Sequence, residues 1–369
     1  MATATHPATL LDLSLEELTA RLTALGEPAY RARQLWRWVY KRLAAGYDEM
    51  TDLPRGLRAQ LAAALPLSPL TLSAQRLSDD AATKVLLRTA DGRLVEAVLM
   101  RYPARTTLCL SSQLGCAIGC VFCQTGLTGF DRNLTPGELL GQALSLARAA
   151  RAEGRAVTNI VMMGMGEPLL NYPALLTFLA RITDPAAFGL GARHITVSTA
   201  GIAPRIRQLA RAPHQVNLAV SLHAADDELR GRLVPLNARY PLAELMDACR
   251  EYLALTHRRI SFEWTLIRGV NDSPEQARRL AALVRGMLCH VNLIPLNPID
   301  ASLSEPEPAA VAAFAETLRR HGVPATVRHS RGRSVAAACG QLRARHEPAV
   351  GPVRLAARRV PLPAILPAR

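Results

Sequence analysis

Three cysteines lie close together in one short segment that also contains two glycines. Cys116, Cys120 and Cys123 follow a Cys-x3-Cys-x2-Cys spacing, with Gly115 and Gly119 beside them. A short loop with glycines can wrap three thiolates around one inorganic iron–sulfur cluster. Three ligands for a four-iron cluster leave one iron open, and that iron can chelate the amino and carboxylate groups of S-adenosylmethionine. The spacing therefore predicts a [4Fe-4S] cluster with S-adenosylmethionine at its fourth iron.

A structural zinc site is the main alternative for the same cysteines. Such a site takes four closed ligands, and Cys109 is a candidate for the fourth. Cys109 lies on a predicted strand, however, and several extended residues at roughly 3.3 Å each separate it from Cys116. The loop would have to fold sharply back to bring all four thiols together, so the spacing favours the cluster.

The balance of charge and the distribution of apolar residues narrow the class of protein. The chain has 369 residues, 49% of them hydrophobic and 20% charged, which is typical of a globular protein and excludes a disordered one. Lys and Arg number 44 against 30 Asp and Glu, so the net charge is +14. This excess favours a polyanionic partner, either nucleic acid or an anionic membrane surface, although a merely soluble basic enzyme is also consistent with it.

The same sequence gives no indication of a membrane segment or a secreted protein. No apolar run approaches the roughly 20 residues that a membrane helix needs. The N-terminus lacks an apolar stretch typical of a signal peptide. Four of the seven cysteines fall between residues 109 and 123, and in a reducing cytosol such crowding indicates metal or redox chemistry. We therefore expect a cytoplasmic protein with no membrane association.

The elements that must position these residues differ along the chain. The first part has apolar residues at helical spacing with arginines on one face, which predicts either an RNA-contacting surface or a solvated basic face. A hairpin follows, with Asp91-Gly92 at its turn and Glu96 in its second strand. We divide the chain into a helical accessory domain, the connecting hairpin, an α/β core and a Pro- and Arg-rich basic tail, at residues 1–80, 81–104, 105–345 and 346–369.

Short apolar strands alternate with helices in the core and predict a parallel sheet covered by helices. The six candidate strands are 106–111, 157–163, 195–198, 216–221, 260–267 and 291–294. Six such units form either a doubly wound sheet or a partial barrel, and in both the chemistry belongs at the C-terminal ends of the strands. Polar residues gather at these ends: Gly166, Glu167, Ser198, Ser221, His223 and Asn297.

Several longer runs together are similar to the RlmN family, bacterial dual-specificity RNA methyltransferases of the radical S-adenosylmethionine superfamily. These runs are Cys-Leu-Ser-Ser-Gln at 109–113, Met-Met-Gly-Met-Gly-Glu-Pro at 162–168, Ser-Leu-His-Ala at 221–224, Gly-Val-Asn-Asp at 269–272 and Ala-Cys-Gly-Gln-Leu at 338–342. The resemblance implies an α/β fold, a partial (β/α)6 radical-SAM barrel with a small helical N-terminal accessory domain. It also implies methylation of C2 of adenine 2503 in 23S rRNA and of adenine 37 in tRNA.

The resemblance also implies roles for individual residues. The cluster ligands would be Cys116, Cys120 and Cys123, and the S-adenosylmethionine pocket would contain Gly166, Glu167, Ser198, Ser221, Leu222, His223 and Asn297. Cys339 would become S-methylated, Cys109 would form a disulfide with it, and Glu96 would act as the catalytic acid/base. Without the resemblance, Cys339 and Cys109 are most simply small buried residues, and Glu96 is an exposed strand glutamate.

The resemblance implies 23S rRNA and tRNA as substrates and an electron donor such as flavodoxin or ferredoxin. We also expect the enzyme to be a monomer. The sequence departs from the family at 293–297, which lacks a tryptophan often found there, and at 331–335, where Arg-Gly-Arg-Ser-Val replaces acidic residues. Cys249 and Cys289 match no role in the family and are interpreted as structural.

Three alternatives remain at this point. A Cfr-type enzyme uses the same two cysteines to methylate C8 of adenine. A non-methylating radical enzyme would need the cluster but neither Cys109 nor Cys339. A basic RNA-binding protein with a structural metal would not cleave S-adenosylmethionine.

Overall fold

Three helices form the first part of the chain in the computed structural model, which describes residues 9–77, 82–298, 302–328 and 342–343. They are α1 (Leu15–Ala24), α2 (Tyr30–Tyr40) and α3 (Arg55–Ala64). Ser14 precedes α1 and caps it, because its hydroxyl accepts from the Glu17 amide at 3.0 Å while the Glu17 carboxylate accepts from the Ser14 amide at 2.6 Å. The apolar faces of these helices join the main core, so this part is packed against the rest of the chain.

A ten-stranded mixed sheet forms the centre of the molecule, and two further short strands pair separately. The sheet contains β1 (Leu70–Leu77), β2 (Ala82–Thr89), β3 (Leu94–Arg101), β4 (Thr106–Cys109), β7 (Asn159–Met162), β8 (Ile195–Thr199), β9 (Asn217–Ser221), β10 (Ile260–Leu266), β11 (Cys289–Pro295) and β12 (Ala325–Val327), and the separate pair is β5 (Gln113–Gly115) and β6 (Phe130–Asn133). Strands β1 to β4 are antiparallel neighbours, whereas β4 and β7 to β12 are parallel. The predicted parallel sheet of an α/β fold is confirmed.

Not every strand was expected from the sequence, and β1 is one that the division into domains missed. Residues 70–77 fall within the predicted helical domain, yet they form β1 on the outer side of the hairpin strand β2. The run Leu-Thr-Leu-Ser-Ala-Gln at 70–75 alternates apolar and polar residues, so the sequence did carry the pattern of a strand. Only Leu70 of this strand is buried.

Helices cover one face of the sheet. They are α4 (Gln124–Leu127), α5 (Pro136–Ala152), α6 (Tyr172–Thr183), α7 (Ala203–Ala210), α8 (Asp227–Leu233), α9 (Leu242–Thr256), α10 (Pro274–Leu283) and α11 (Pro308–Arg320). The main apolar core lies between the longer helices and strand residues such as Leu108, Ile160, Val197 and Phe262. Within the described residues, no helix is both long enough and apolar enough to cross a membrane.

The other face of the sheet, here called the inner face, is more polar. Because side chains alternate along a strand, Cys109 points away from the core residue Leu108, and Glu263 points away from Phe262. The parallel strands end at a common edge, here called the mouth. The loops at the mouth follow β7, β8, β9, β10 and β11, and they carry the polar residues singled out in the sequence.

Candidate active site

The loop with the three cysteines follows β5 and is held by its own backbone. Gly115 has φ +78, and a Cβ there would lie 1.9 Å from the Gly129 carbonyl oxygen, so only glycine fits. The next amide, that of Cys116, donates to the same carbonyl at 2.8 Å. Further along, the Val121 amide donates to the Leu233 carbonyl of α8 at 3.2 Å. These contacts fix the loop against β6 and α8.

The three thiols of this loop lie close enough to influence each other. All three are partly buried. Burial, followed by the nearness of Cys123, raises the pKa of both Cys116 and Cys120. Three thiolates at this place repel one another unless a positively charged group binds them, which is what an iron–sulfur core supplies.

The spacing of these thiols does not suit a single metal ion. Across the part of the chain that the structure describes, no three His, Cys, Asp or Glu side chains converge as ligands of one ion. A zinc ion needs that convergence, whereas in a four-iron cluster each thiolate binds its own iron. Cys109, the candidate fourth zinc ligand, packs in a different apolar cluster, with Met100 and Val161. The loop therefore fits a [4Fe-4S] cluster and not structural zinc.

Glu167 lies at the mouth directly after β7 and is only 3% exposed. Its Oε1 accepts from the Leu169 amide at 3.0 Å and its Oε2 from the Ala200 amide at 2.7 Å. Gly166 before it has φ +98, and a Cβ there would meet the Gln113 side chain at 2.5 Å. Burial raises the pKa of Glu167 to about 7. This buried carboxylate suits a ligand ammonium group.

The other predicted pocket residues lie at the same mouth. Ser198 lies next to the end of β8, Ser221 ends β9, and Asn297 follows β11. All three residues are partly exposed. Leu222, between Ser221 and His223, is fully buried.

His223 links this edge to the cysteine loop. Its Nδ1 accepts from the Thr265 amide at 3.0 Å, and its ring packs edge-on against Phe122 with centroids 4.6 Å apart. Burial lowers the pKa of His223 to about 3, so the imidazole is neutral at physiological pH. With φ +60 it is one of three non-glycine residues in the left-handed region within the described ranges. The contact with Phe122 brings the strand end and the cysteine loop together.

Arg230 on α8 is a residue that sequence reasoning missed. Its side chain is fully buried. The guanidinium donates from Nε to the Leu222 carbonyl at 3.1 Å and from Nη1 to Asn237 Oδ1 at 2.8 Å. Its Nη2 donates to the carbonyls of Ala200 at 2.6 Å and Ser221 at 3.3 Å. One arginine among many offers no sequence signal of burial, because the burial comes from the packing of α8.

Glu96 is buried, so the interpretation as an exposed strand residue is wrong. It is 3% exposed, and its Oε2 lies 3.2 Å from Nζ of Lys84, which is equally buried. Its Oε1 accepts from the Arg343 amide at 2.6 Å. Leu342, just before, packs on Leu86 of the hairpin. Cys339 lies outside the described residues, but the chain that follows it is held at Glu96.

Cys109 and Glu96 share the inner face of the sheet. Val98 of β3 pairs with Cys109 of β4, and Glu96 is two residues before Val98 on the same strand. Cys249 and Cys289, by contrast, lie in the main core, away from this face. The structure thus groups the predicted residues at two places, the mouth and the adjoining inner face of β3 and β4.

Comparisons with known proteins agree with this architecture. Residues 8–66 match the family model of the "Ribosomal RNA large subunit methyltransferase N-terminal domain", and residues 110–281 match that of the "Radical SAM superfamily". A crystal structure of a radical SAM methyltransferase from Sphaerobacter thermophilus superposes with a TM-score of 0.89 at 55% identity, covering 91% of this chain and 99% of that one.

Two relatives are each named "Probable dual-specificity RNA methyltransferase RlmN". The protein from Chloroflexus aurantiacus is 49% identical, over 91% of this chain and 93% of its own length. The protein from Parafrankia sp. is 51% identical, over 92% of both chains. Such likeness over nearly the whole chain confirms the resemblance and rejects both the non-methylating radical enzyme and the RNA-binding protein with a structural metal. The chain belongs to the RlmN family of dual-specificity RNA methyltransferases, radical SAM enzymes that use a [4Fe-4S] cluster and S-adenosylmethionine.

Proposed function

We propose that this enzyme methylates C2 of adenine, at adenine 2503 of 23S rRNA and adenine 37 of tRNA, through a methylated Cys339 and a Cys109–Cys339 disulfide. The observation that carries the proposal is the contact between Glu96 and Arg343 on the inner face. This contact holds Arg343 at Glu96, on the face of the sheet that also carries Cys109. It therefore supports a shared role for Glu96 and Cys109 in one reaction.

The mouth residues would hold the cofactors. Cys116, Cys120 and Cys123 would bind the cluster. The carboxylate of Glu167 would accept the ammonium group of S-adenosylmethionine, beside Gly166. Ser198, Ser221, Leu222, His223 and Asn297 would line the remainder of the pocket. When bound, the cluster and S-adenosylmethionine supply the methyl group and a 5′-deoxyadenosyl radical.

Two thiols and one carboxylate of the chain would carry the remaining steps. Cys339 accepts a methyl group, because its thiolate is nucleophilic whereas adenine C2 is electrophilic. After the methyl-derived carbon has joined the adenine, the adduct would lose one electron, for which the cluster would supply the acceptor, and Glu96 would accept the proton from C2. The Cys109 thiolate would then attack the Cys339 sulfur, and the sulfur–carbon bond would break with its electron pair on carbon. That carbon would take up a proton to become the methyl group, and methylated RNA would leave as the disulfide forms. An external reductant restores both thiols.

The partners follow from this chemistry. Reduction of the cluster requires an electron donor such as flavodoxin or ferredoxin. The arginines on the N-terminal helices would contact RNA phosphates, and their contribution would weaken steeply with salt. We propose a monomer that works in the cytoplasm, where its RNA substrates are.

The test compares cysteine variants of the full-length enzyme after turnover with labelled RNA. Cys109→Ala should stall as a covalent protein–RNA species, visible on a denaturing gel, because no thiol can attack the Cys339 sulfur. Cys339→Ala should still cleave S-adenosylmethionine but transfer no methyl group. Cys289→Ala, a matched change of a buried cysteine in the main core, should remain active.

Analysis of the products shows which carbon of adenine is methylated. Mass spectrometry of nucleosides from treated RNA should find 2-methyladenosine, whereas 8-methyladenosine would show a Cfr-type enzyme instead. Full methylation by Cys339→Ala would overturn the mechanism altogether.

A further inference from the structure

Arg230 carries a positive charge that no carboxylate balances within hydrogen-bond or ion-pair distance in the described ranges. Its acceptors are three backbone carbonyls and the amide oxygen of Asn237, all neutral. The nearby carboxylate of Asp227 accepts instead from Asn237 Nδ2 at 2.9 Å and from the Leu242 amide at 2.8 Å. A fully buried charge without a counter-charge is unfavourable, so a group of opposite charge is expected close by.

The helix that carries Arg230 is also the support of the cysteine loop. Leu233 of α8 accepts from the Val121 amide, and Leu229 and Leu233 pack in one apolar cluster with Ile118. The charges of Arg230 and Cys120 influence each other. Although burial lowers the pKa of Arg230 to about 10, the guanidinium remains protonated at neutral pH. A permanent positive charge therefore lies behind the loop.

A cluster bound by this loop would be an anion. A four-iron core of charge 2+ with three thiolates carries one net negative charge, and reduction by one electron makes it two. A nearby fixed positive charge stabilises the reduced form more than the oxidised form, and net charge and hydrogen bonding are among the factors that set cluster potentials. The charge of Arg230 thus favours acceptance of the electron.

The same guanidinium also fixes the S-adenosylmethionine side of the mouth. The peptide of Ala200 donates its N–H to Glu167 Oε2 and accepts from Arg230 Nη2 through its carbonyl. Arg230 further bonds the carbonyls of Ser221 and Leu222, at the end of β9. One side chain therefore ties the ends of β8 and β9 to the helix beneath the loop.

We propose that Arg230 is a positioning residue that holds the ends of β8 and β9 under the cysteine loop and raises the reduction potential of the cluster by its unbalanced charge. The proposal rests on the proposed assignment of Cys116, Cys120 and Cys123 as cluster ligands. It assigns to Arg230 an effect on electron transfer as well as on the shape of the pocket.

The test measures the midpoint potential of the cluster by a redox titration followed by electron paramagnetic resonance, with full-length enzyme reconstituted under anaerobic conditions. Arg230→Gln should lower the potential, because the charge is lost. We expect at least a tenfold loss in the equilibrium constant for reduction, which equals 59 mV for a one-electron couple. Arg279→Gln removes the same charge from an exposed residue and should leave the potential unchanged.

Arg230→Lys separates the two effects. A lysine keeps the charge but cannot make the bonds of the guanidinium fork, so the potential should stay near that of the wild type while S-adenosylmethionine binds at least tenfold more weakly. Equilibrium binding measures the second quantity. A merely structural arginine would give weakened binding in both variants with no difference in potential between them.

A second substitution covers the case in which Arg230→Gln does not fold. Arg230→Met also removes the charge but fills the buried space with an apolar side chain, so it should lower the potential as well. If the variants that remove the charge keep their full iron content and their potential does not change, the proposed role of Arg230 is wrong and the ligand assignment is unaffected. If instead the ligand assignment is wrong, the Cys116→Ala variant of the otherwise wild-type enzyme will keep its full iron content.

Discussion

Two buried glutamates in this molecule, Glu96 and Glu167, have the same exposure of 3% but different surroundings. Glu96 in the hairpin lies against the ammonium group of Lys84, and the two charges balance each other. Glu167 at the mouth accepts from the amides of Leu169 and Ala200, and its buried cationic neighbour, Arg230, lies on the far side of the Ala200 peptide.

This difference separates a charge that the protein itself balances from charges that remain for a ligand. The pair of Lys84 and Glu96 is balanced without a bound ion, and this is compatible with the proton-accepting role proposed for Glu96. Glu167 and Arg230 are separated by the Ala200 peptide, so each can still bind a group of opposite charge. At the mouth, these partners would be the ammonium group of S-adenosylmethionine for Glu167 and the anionic cluster for Arg230.

The largest expected effect comes from breaking the hairpin pair. Lys84→Met removes the ammonium group that Glu96 contacts, and Glu96→Leu removes the carboxylate that Lys84 contacts. Each single change should lower the free energy of unfolding by about 3–5 kcal/mol, because a buried charge loses this ion pair. Urea denaturation at pH 7 measures the loss.

The double variant Lys84→Met/Glu96→Leu is the control for this prediction. It removes both charges together, so its loss of stability should be smaller than that of either single variant. If the two single losses simply add, Lys84 and Glu96 do not stabilise each other and the contrast with the mouth disappears.

The next effect concerns the unpaired acid. Because the pKa of Glu167 is raised to about 7, its carboxyl becomes protonated as the pH falls below 7 and loses the charge that attracts an ammonium group. The affinity for S-adenosylmethionine should therefore fall roughly tenfold between pH 8 and pH 6. Equilibrium binding to anaerobically reconstituted enzyme gives this profile.

Glu167→Gln is the control for this pH dependence. The amide cannot titrate, so binding should be weak and independent of pH over this range. A wild-type affinity that stays constant from pH 8 to pH 6 would contradict the assignment of Glu167 to the ammonium group.

The smallest expected effect concerns a third buried glutamate, Glu263 on the inner face. Its Oε1 accepts from Asn292 at 2.9 Å, whereas its Oε2 has no hydrogen-bond partner in the described part of the chain. Burial raises its pKa above the ordinary value of 4.5. The folded protein thus holds a proton that the unfolded chain releases, and this contribution to stability is lost as the pH rises.

Glu263→Gln should accordingly gain stability relative to the wild type as the pH increases. We expect its Tm, compared with that of the wild type, to rise by about 1–3 °C between pH 5 and pH 8. Calorimetry of the cofactor-free proteins measures the difference. A relative rise of the wild-type Tm instead would mean that Glu263 is stabilised as a carboxylate.

Features that depend on local spacing were predictable from the sequence. The cysteine loop, the hairpin and the parallel strands each show their pattern within ten or so residues, and the structure contains all of them. The pairing of Lys84 with Glu96 could also have been predicted from the sequence. The turn at Asp91-Gly92 sets a register that places Lys84 opposite Val98, and therefore diagonal to Glu96 on one face.

Features that depend on distant contacts were not predictable. Arg230 is buried because α8 packs over the ends of two strands, and nothing in its neighbouring residues requires this. The bond between Glu96 and Arg343 joins residues 247 positions apart. Neither contact has a period or a spacing that a single sequence displays.

That long separation also sets an order of events during synthesis. The strands and loops of the mouth all precede residue 298, whereas Arg343 reaches Glu96 only when almost the whole chain has left the ribosome. N-terminal regions generally fold first during synthesis, so the cofactor-binding strands would be complete before the bond between Arg343 and Glu96 can form. A chain truncated before Leu342 would lack this bond altogether. In the proposed mechanism, which needs Cys339, methyl transfer would thus begin only after the cofactor-binding part has folded.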